Sequence, residues 1–500
     1  MPLKKDLDLV NNYQKELSLL GSFGALASWD EQTYLPEGGV NSRAEQNAFL
    51  SKISHKMATS NEFFSVVKRL NKSNLKGRDK IMIEKLYKGL SKSRKLPVEF
   101  VEEMAKTISL SNRAWIRARQ KKDFKIFAPH LEKVVKLKQK EAKYYNFKGH
   151  IYNGLLDDYE EGMTVEKIKP IFSKLKEDLI SLINKIEKTD KYRKQKVVLL
   201  NRKYEIDKLK LFTEDVSKRM GMNKENSRID LSEHPFTTKI GYGDVRITTS
   251  FRDNPMFSFL STVHEAGHAL YELGMPEKDK YNSLGNAPSV GIHESQSRIW
   301  ENNIGRGIAF WKYYFPKFNK ELKLHTNFSD WYNEISLVRP GMIRVEADEV
   351  HYCLHVILRF EIEIGLIDGS IKVRDLPKVW NKKMKESFGK EPRNDAEGVL
   401  QDIHWSWGSF GYFPTYAIGT IYAAQLWKTL RKKYPEIEKE ISKGNFGRVR
   451  EWLRKNIHEK GSIKLSEEII KEVCGYGLKS EDYINYLTEK YGKIYGFSNF

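Results

Sequence analysis

Apolar residues recur every three or four positions along most of this 500-residue chain, set among lysine and glutamate, and that spacing predicts helix. Residues 111–145 and 164–188 carry the pattern most regularly. It is also clear over residues 257–273, where Gly274 and then Pro276 predict the stop. A further helix is predicted over residues 291–302. Proline and glycine gather instead at 36–39, 285–288 and 408–414, which marks turns. One stretch departs from helix: residues 237–249 alternate and hold Gly-Tyr-Gly-Asp, predicting a small β-hairpin just ahead of the 257–273 helix. No repeat, low-complexity linker or compositional break marks a boundary. The expectation is a mostly α protein, one domain over residues 1–500, with a small hairpin or sheet.

Composition narrows the class. Forty per cent hydrophobic and 30% charged residues belong to soluble globular proteins, and this length buries an ample core. No run of 18 apolar residues exists, so no membrane span is expected. The opening Met-Pro-Leu-Lys-Lys-Asp-Leu-Asp lacks the apolar region of a signal peptide. Cys353 and Cys474, the only cysteines, read as reduced thiols of a cytoplasmic protein. A net charge of +20 invites a nucleic-acid reading, but its distribution argues against one. Between Arg228 and Ile304 seven Lys and Arg face ten Asp and Glu, and the excess lies in mixed-sign stretches such as 185–210 and 428–455 that suit solvated faces. Abundant Lys with Glu points toward thermostability.

The chemistry concentrates in His264-Glu265-Ala266-Gly267-His268. Positions i and i+4 share one helix face, so both imidazoles can close on one tetrahedral zinc ion while Glu265 acts as base toward water. Chance alone would place such a motif in roughly one chain of this composition in fifty; its seat on an amphipathic helix favours the metal. A third protein ligand is required. Glu272 continues the stripe, but eight helical residues span about 12 Å and three side chains in a row cannot surround one ion. The histidine-rich variant of the motif is excluded, since Tyr271 and Gly274 stand where its glycine and histidine belong. Glu294 leads among the remaining candidates, and Glu301, two turns along, is the fallback. His293 points about 100° away from Glu294 on a helix and suits a role behind the ligands.

The chain resembles the thermostable carboxypeptidase Taq family of zinc metallocarboxypeptidases, on an ordered set of motifs around H-E-x-x-H. These are His234-Pro-Phe236; Asp244-Val-Arg246-Ile-Thr248; His293-Glu294-Ser-Gln296; Ile343-Arg344-Val-Glu-Ala-Asp348; and Gly398-Val-Leu-Gln401-Asp402-Ile-His404-Trp405. The likeness extends to Trp29–Pro36, Leu155–Tyr159 and Phe410–Tyr416, and so covers nearly the whole chain. Leu35 stands where methionine is expected. The resemblance implies a helical body with a deep substrate groove, two lobes flanking it without a legible boundary, and a homodimer. It makes Glu294 the third zinc ligand, with cobalt as a substitute metal. The implied reaction removes C-terminal residues from peptides that end in a free carboxylate.

Within that reading Glu265 is the catalytic base. Arg344 is the first choice for gripping the substrate carboxylate, because a guanidinium makes two charge-assisted bonds to one carboxylate. Arg246 is the alternative, although Asp244 lies on the same strand face and could simply pair with it. His234 is expected along the groove. His404 and Tyr416 are candidates for donating to the oxyanion, with Tyr412 a rival that spacing does not eliminate. Two other readings compete: a groove-type oligopeptidase cutting internally, and a basic nucleic-acid-binding protein with structural zinc. The intact Glu265 disfavours the latter.

Overall fold

The computed structural model describes residues 2–252 and 254–497. Helices form where the periodicity asks for them. A long α1 (Pro2–Thr33) opens the chain. The stretch expected as one helix over 111–145 is two, α2 (Val98–Lys121) and α3 (Ala128–Tyr145). They part at Lys122, which turns left-handed (φ +54°), and Asp123 then caps a short turn through the Lys125 amide at 2.9 Å. Both helices face the same core, so the apolar spacing runs across the break. Residues 164–188 become α4 (Val165–Glu187) with Thr164 as its cap.

The predicted hairpin is present and is joined by a strand the periodicity did not reveal. Strand β1 (Ser227–Leu231) pairs parallel with β3 (Asp244–Thr249), and β2 (Thr237–Gly241) pairs antiparallel with β3, giving the order β1-β3-β2. Gly243 takes φ +78° in the tight turn between β2 and β3, which is why the turn carries glycine there.

Four helices set the site. The α5 helix (Pro255–Leu273) starts at an Asn254 cap, whose side chain accepts from the Met256 amide at 2.9 Å. Next come α6 (Val290–Arg298), α7 (Glu349–Asp368) and α8 (Phe413–Lys433). The last two are buried almost all round, as helices at the middle of a protein are. The predicted 291–302 helix changes winding partway, because α6 continues as a π-helical stretch over Ile299–Gly305. One apolar core extends from Ala114 to Tyr495. A second, smaller one gathers Val10, Phe63, Val67, Leu70 and Ile83 with Leu284.

Two glycines bring the site helices together. A Cβ on Gly267 would lie 2.7 Å from the Gln296 carbonyl, and one on Gly419 would lie 2.6 Å from the Glu294 Cβ. Glycine at these positions lets α5 and α8 press on α6 from both sides, with Glu294 between them.

Candidate active site

Adjacent turns of α5 point His264 and His268 the same way, with ring centroids 4.9 Å apart. Their Nε2 atoms lie 3.5 and 3.3 Å from Glu294 Oε2 on α6. Ligand atoms about 2.0–2.1 Å from a tetrahedral ion sit about 3.3–3.4 Å from one another, so these spacings fit a zinc-sized cation. Among the described residues these three form the one group of that kind. Neither Glu272 nor Glu301 belongs to it.

The hydrogen bonds behind the histidines fix their tautomers. His264 Nδ1 is 2.8 Å from Glu301 Oε2, so it carries the proton and leaves Nε2 a lone pair. His268 Nδ1 is 2.6 Å from His293 Nδ1, and His293 Nε2 is 3.0 Å from Glu272 Oε1. Glu272 takes the proton of His293 Nε2. His293 Nδ1 must then accept from His268, whose Nε2 is left free as well. Glu272, rejected above as a ligand, thus ends a relay that Lys239 on β2 neutralises at 3.1 Å. The π-helical winding carries Glu301 behind His264 and away from Glu294's place.

Charge favours a cation as strongly as geometry does. Burial pushes the Glu294 carboxyl up, but the Arg298 guanidinium and His264 hold it well below the usual carboxylate range. Arg298 takes Oε1 at 2.6 Å, and Oε2 is left facing the two imidazoles. Burial alone would lower His264, yet Glu294 and Glu301 drive it up to about 10. The site thus demands positive charge even when only a proton is there to supply it. Glu265, on the next position of α5, is 8% exposed. Its Oε2 accepts from the Thr237 hydroxyl of β2 at 2.6 Å, and burial pushes its carboxyl up. The hairpin therefore steadies the expected base.

A second cluster forms where the Ile343–Asp348 and Gly398–Trp405 motifs meet. Arg344, 6% exposed, places Nε and Nη2 on Asp402 Oδ1 at 3.1 and 2.8 Å. Arg359 of α7 takes the other oxygen, its Nε lying 2.7 Å from Asp402 Oδ2. Two guanidinium groups on one carboxylate leave a positive charge over, and among the described residues the Nη1 of Arg344 has one hydrogen-bond partner, the Tyr352 hydroxyl at 3.5 Å, while the guanidinium lies 4.9 Å from the Tyr416 ring. The ring of Tyr352 lies 4.0 Å from the Arg298 guanidinium, joining the two clusters. His404 Nε2 is 3.2 Å from the Tyr416 hydroxyl, and burial brings His404 down to about 4, so it is neutral at neutral pH. The Tyr412 and Tyr416 rings are 5.3 Å apart, leaving both hydroxyls in the same neighbourhood.

The remaining expected residues fall elsewhere. Arg246 pairs bidentately with Asp244 at 2.9 and 2.8 Å and covers the Trp29 ring at 4.4 Å, so its charge is already answered. His234 sits exposed on the connection between β1 and β2. Sequence reasoning missed Arg298, Thr237, Arg359 and Tyr352. Arg298 had a signal, because it stands four residues after Glu294 on one helix. The others arrive from distant segments and had none.

The chain is similar to known carboxypeptidases over nearly its whole length. The family described as Carboxypeptidase Taq (M32) metallopeptidase matches residues 9–491. Thermostable carboxypeptidase 1 of Pyrococcus furiosus is 37% identical over 94% of this chain and 95% of its own length. Its namesake in Thermus thermophilus is 33% identical over 97% and 98%. The crystal structure of an M32 carboxypeptidase from Deinococcus radiodurans superposes with a TM-score of 0.94 at 33% identity, over 98% of this chain and all of that one.

Proposed function

The chain belongs to the carboxypeptidase Taq (M32) family and is a metallocarboxypeptidase, a peptide hydrolase, and on that premise we propose that it uses zinc to release amino acids one at a time from peptide C-termini. The observation that carries the metal is the convergence of two imidazole Nε2 atoms and one carboxylate oxygen at tetrahedral spacing. His264, His268 and Glu294 would hold zinc, with cobalt a workable substitute. Bound there, the metal would supply a Lewis acid that acidifies water and polarises the scissile carbonyl.

Glu265 takes the proton of the attacking water and passes it to the leaving amine. Thr237 fixes the carboxylate oxygen that does not act. The substrate carboxylate meets the unspent Nη1 edge of Arg344, whose other edge Asp402 holds in a fixed plane. One positive charge beyond the Arg344–Asp402–Arg359 balance matches one carboxylate. Tyr416, with Tyr412 as its rival, donates to the oxyanion, and His404 orients it. His234 and Arg246 line the approach. Homodimer formation is expected from the family likeness, a cytoplasmic location from the two reduced cysteines and heat stability from the abundant Lys and Glu. Sedimentation and thermal melting check the first and last.

The deciding experiment is mass analysis of an unblocked peptide and its C-terminal amide after incubation with the zinc-loaded enzyme. A ladder of single-residue losses from the acid alone supports the reading. Internal cuts in both peptides turn it into an oligopeptidase.

A further inference from the structure

Glu363 lies on α7 one turn beyond Arg359, wholly buried. Three donors converge on it. The Tyr152 hydroxyl and the Gly411 amide reach Oε2 at 2.5 and 3.0 Å, and the Trp405 indole N–H reaches Oε1 at 2.8 Å. Trp405 and Gly411 bracket the loop between His404 and Tyr412. Gly411 has φ +99°, and a Cβ there would lie 2.5 Å from the Leu155 carbonyl, so the chain is pinched between Leu155 and Glu363. The same segment starts at Asp402, the partner of Arg344, and runs into α8 at Tyr416.

We propose that Glu363 is a positioning residue that must be ionised to hold the 402–416 segment, and that protonating it loosens this segment. The reason is a hydrogen count. A carboxylate only accepts, and the three groups around it all donate. An indole and an amide N–H cannot accept, so a proton on Glu363 fits only if the Tyr152 hydroxyl turns round. Tyr152 is itself buried and would then lack its acceptor. All three bonds would also lose the charge that strengthens them.

Burial pushes the Glu363 carboxyl up to about 7, against the pull of Tyr152, Gly411 and Trp405. The other titratable and charged groups facing it are Tyr152, Tyr159 and, on α3, Lys138. The Lys138 ammonium is paired with Glu141 at 2.5 Å. Arg359, on its own helix, is committed to Asp402. Burial pushes Tyr159 up to about 12 and Tyr152 well above its ordinary value, while His404 is already neutral. Of these groups, Glu363 is therefore the carboxyl brought near neutrality; Glu160, also raised to about 7, accepts from the Gly291 amide of α6 instead.

The test is hydrogen exchange by mass spectrometry on the zinc-loaded full chain, with rates corrected for the intrinsic effect of pH. In the wild type, protection over 402–416 should fall about tenfold as the pH drops through the neutral range, while protection over 481–495 stays level. In Glu363→Gln the amide nitrogen meets a donor, so the segment should exchange at the fast rate at every pH. That variant should retain zinc and lose about tenfold in kcat/KM on the alkaline side. A level wild-type profile over 402–416 overturns the proposal, as does a pH step that survives in Glu363→Gln. Should that variant not fold, the wild-type profile decides alone. The catalytic consequence rests on the site reading above and the exchange step does not, so a step without carboxypeptidase activity would unseat only the function.

Discussion

Glu294, buried, and Asp402, mostly buried, are both carboxylates answered by arginine, and in the proposed function they would divide the labour of the site. Glu294 meets one guanidinium, which takes Oε1 and leaves Oε2 toward two imidazoles. Asp402 meets two, one on each oxygen. The first centre keeps an anionic oxygen that no guanidinium takes, met only by the Ser297 hydroxyl at 3.0 Å besides the imidazoles among the described residues, and it suits a cation. The second keeps an uncommitted guanidinium edge and attracts an anion. A carboxylate's function inside a protein thus depends on how many arginines share it, and here one count suits a metal ligand and the other a substrate clamp. Tyr352 touches both arginine sets, so the two centres stand at a set separation.

If the chemistry belongs to the Glu294 centre alone, Glu265→Gln gives the largest effect. Turnover should fall by about two to four orders of magnitude, the scale for removing a general base, while metal content and fold persist. Metal analysis and turnover measured on one sample check this. Near-normal turnover with full metal would merge the two centres again.

The Asp402 centre should respond next, through stability and substrate recognition. Asp402→Asn leaves two buried guanidinium groups without their anion and should cost about 3–5 kcal/mol in denaturant melts at neutral pH. Burial pushes the Asp402 carboxyl up, but Arg344 and Arg359 hold it well below the ordinary range. Its contribution is therefore present above its unfolded value of about 4 and is lost as the pH falls through its lower folded value. Arg344→Ala should cost about 2–4 kcal/mol in kcat/KM for free-acid peptides and shrink the preference for acid over amide ends. Paired acid and amide substrates read this directly, and metal content should not change.

The two centres were unequally legible in the sequence. His264 and His268 declare themselves because a metal pair needs only helix spacing, which is local. Glu294 could be ranked ahead of Glu301 from the residues, but only the family motif singled it out, since the sequence does not encode how close Gly267 and Gly419 let the helices come. Glu301 could be placed at the site but not given its role, because a shift to π winding is invisible in hydrophobic periodicity. The Asp402 centre was half legible: Arg344 stood out by motif, but Arg359 is 43 positions from its partner and reads as one charge on a core helix. The mostly helical body and the hairpin followed from the 3.6 and 2 periods, whereas β1, a short parallel addition, carried too little alternation to register.

Glu301→Gln probes the support behind the Glu294 centre. It keeps a partner for His264 Nδ1 but removes the charge, and should weaken metal binding about 10–100-fold, the usual scale for a group behind a ligand. Competition with a chelator measures it. A complete loss of metal would make Glu301 a ligand in its own right.

Arg246→Ala should give the smallest effect, less than about threefold in the ratio of acid to amide cleavage, because its charge is spent on Asp244 and its face on Trp29. It presents the substrate with a pair already neutral, whereas Arg344 belongs to a set with one positive charge to spare. The comparison therefore predicts that the two arginines separate in the same assay, Arg344→Ala erasing the preference and Arg246→Ala leaving it nearly whole. Asp244→Ala sharpens the point. Freeing Arg246 from its partner should create a second uncommitted guanidinium on the approach and raise the affinity for free-acid peptides modestly. Should Arg246→Ala instead abolish the preference while Arg344→Ala keeps it, the carboxylate clamp moves to the hairpin. The Asp402 centre would then be a structural knot whose spare charge answers nothing in the substrate.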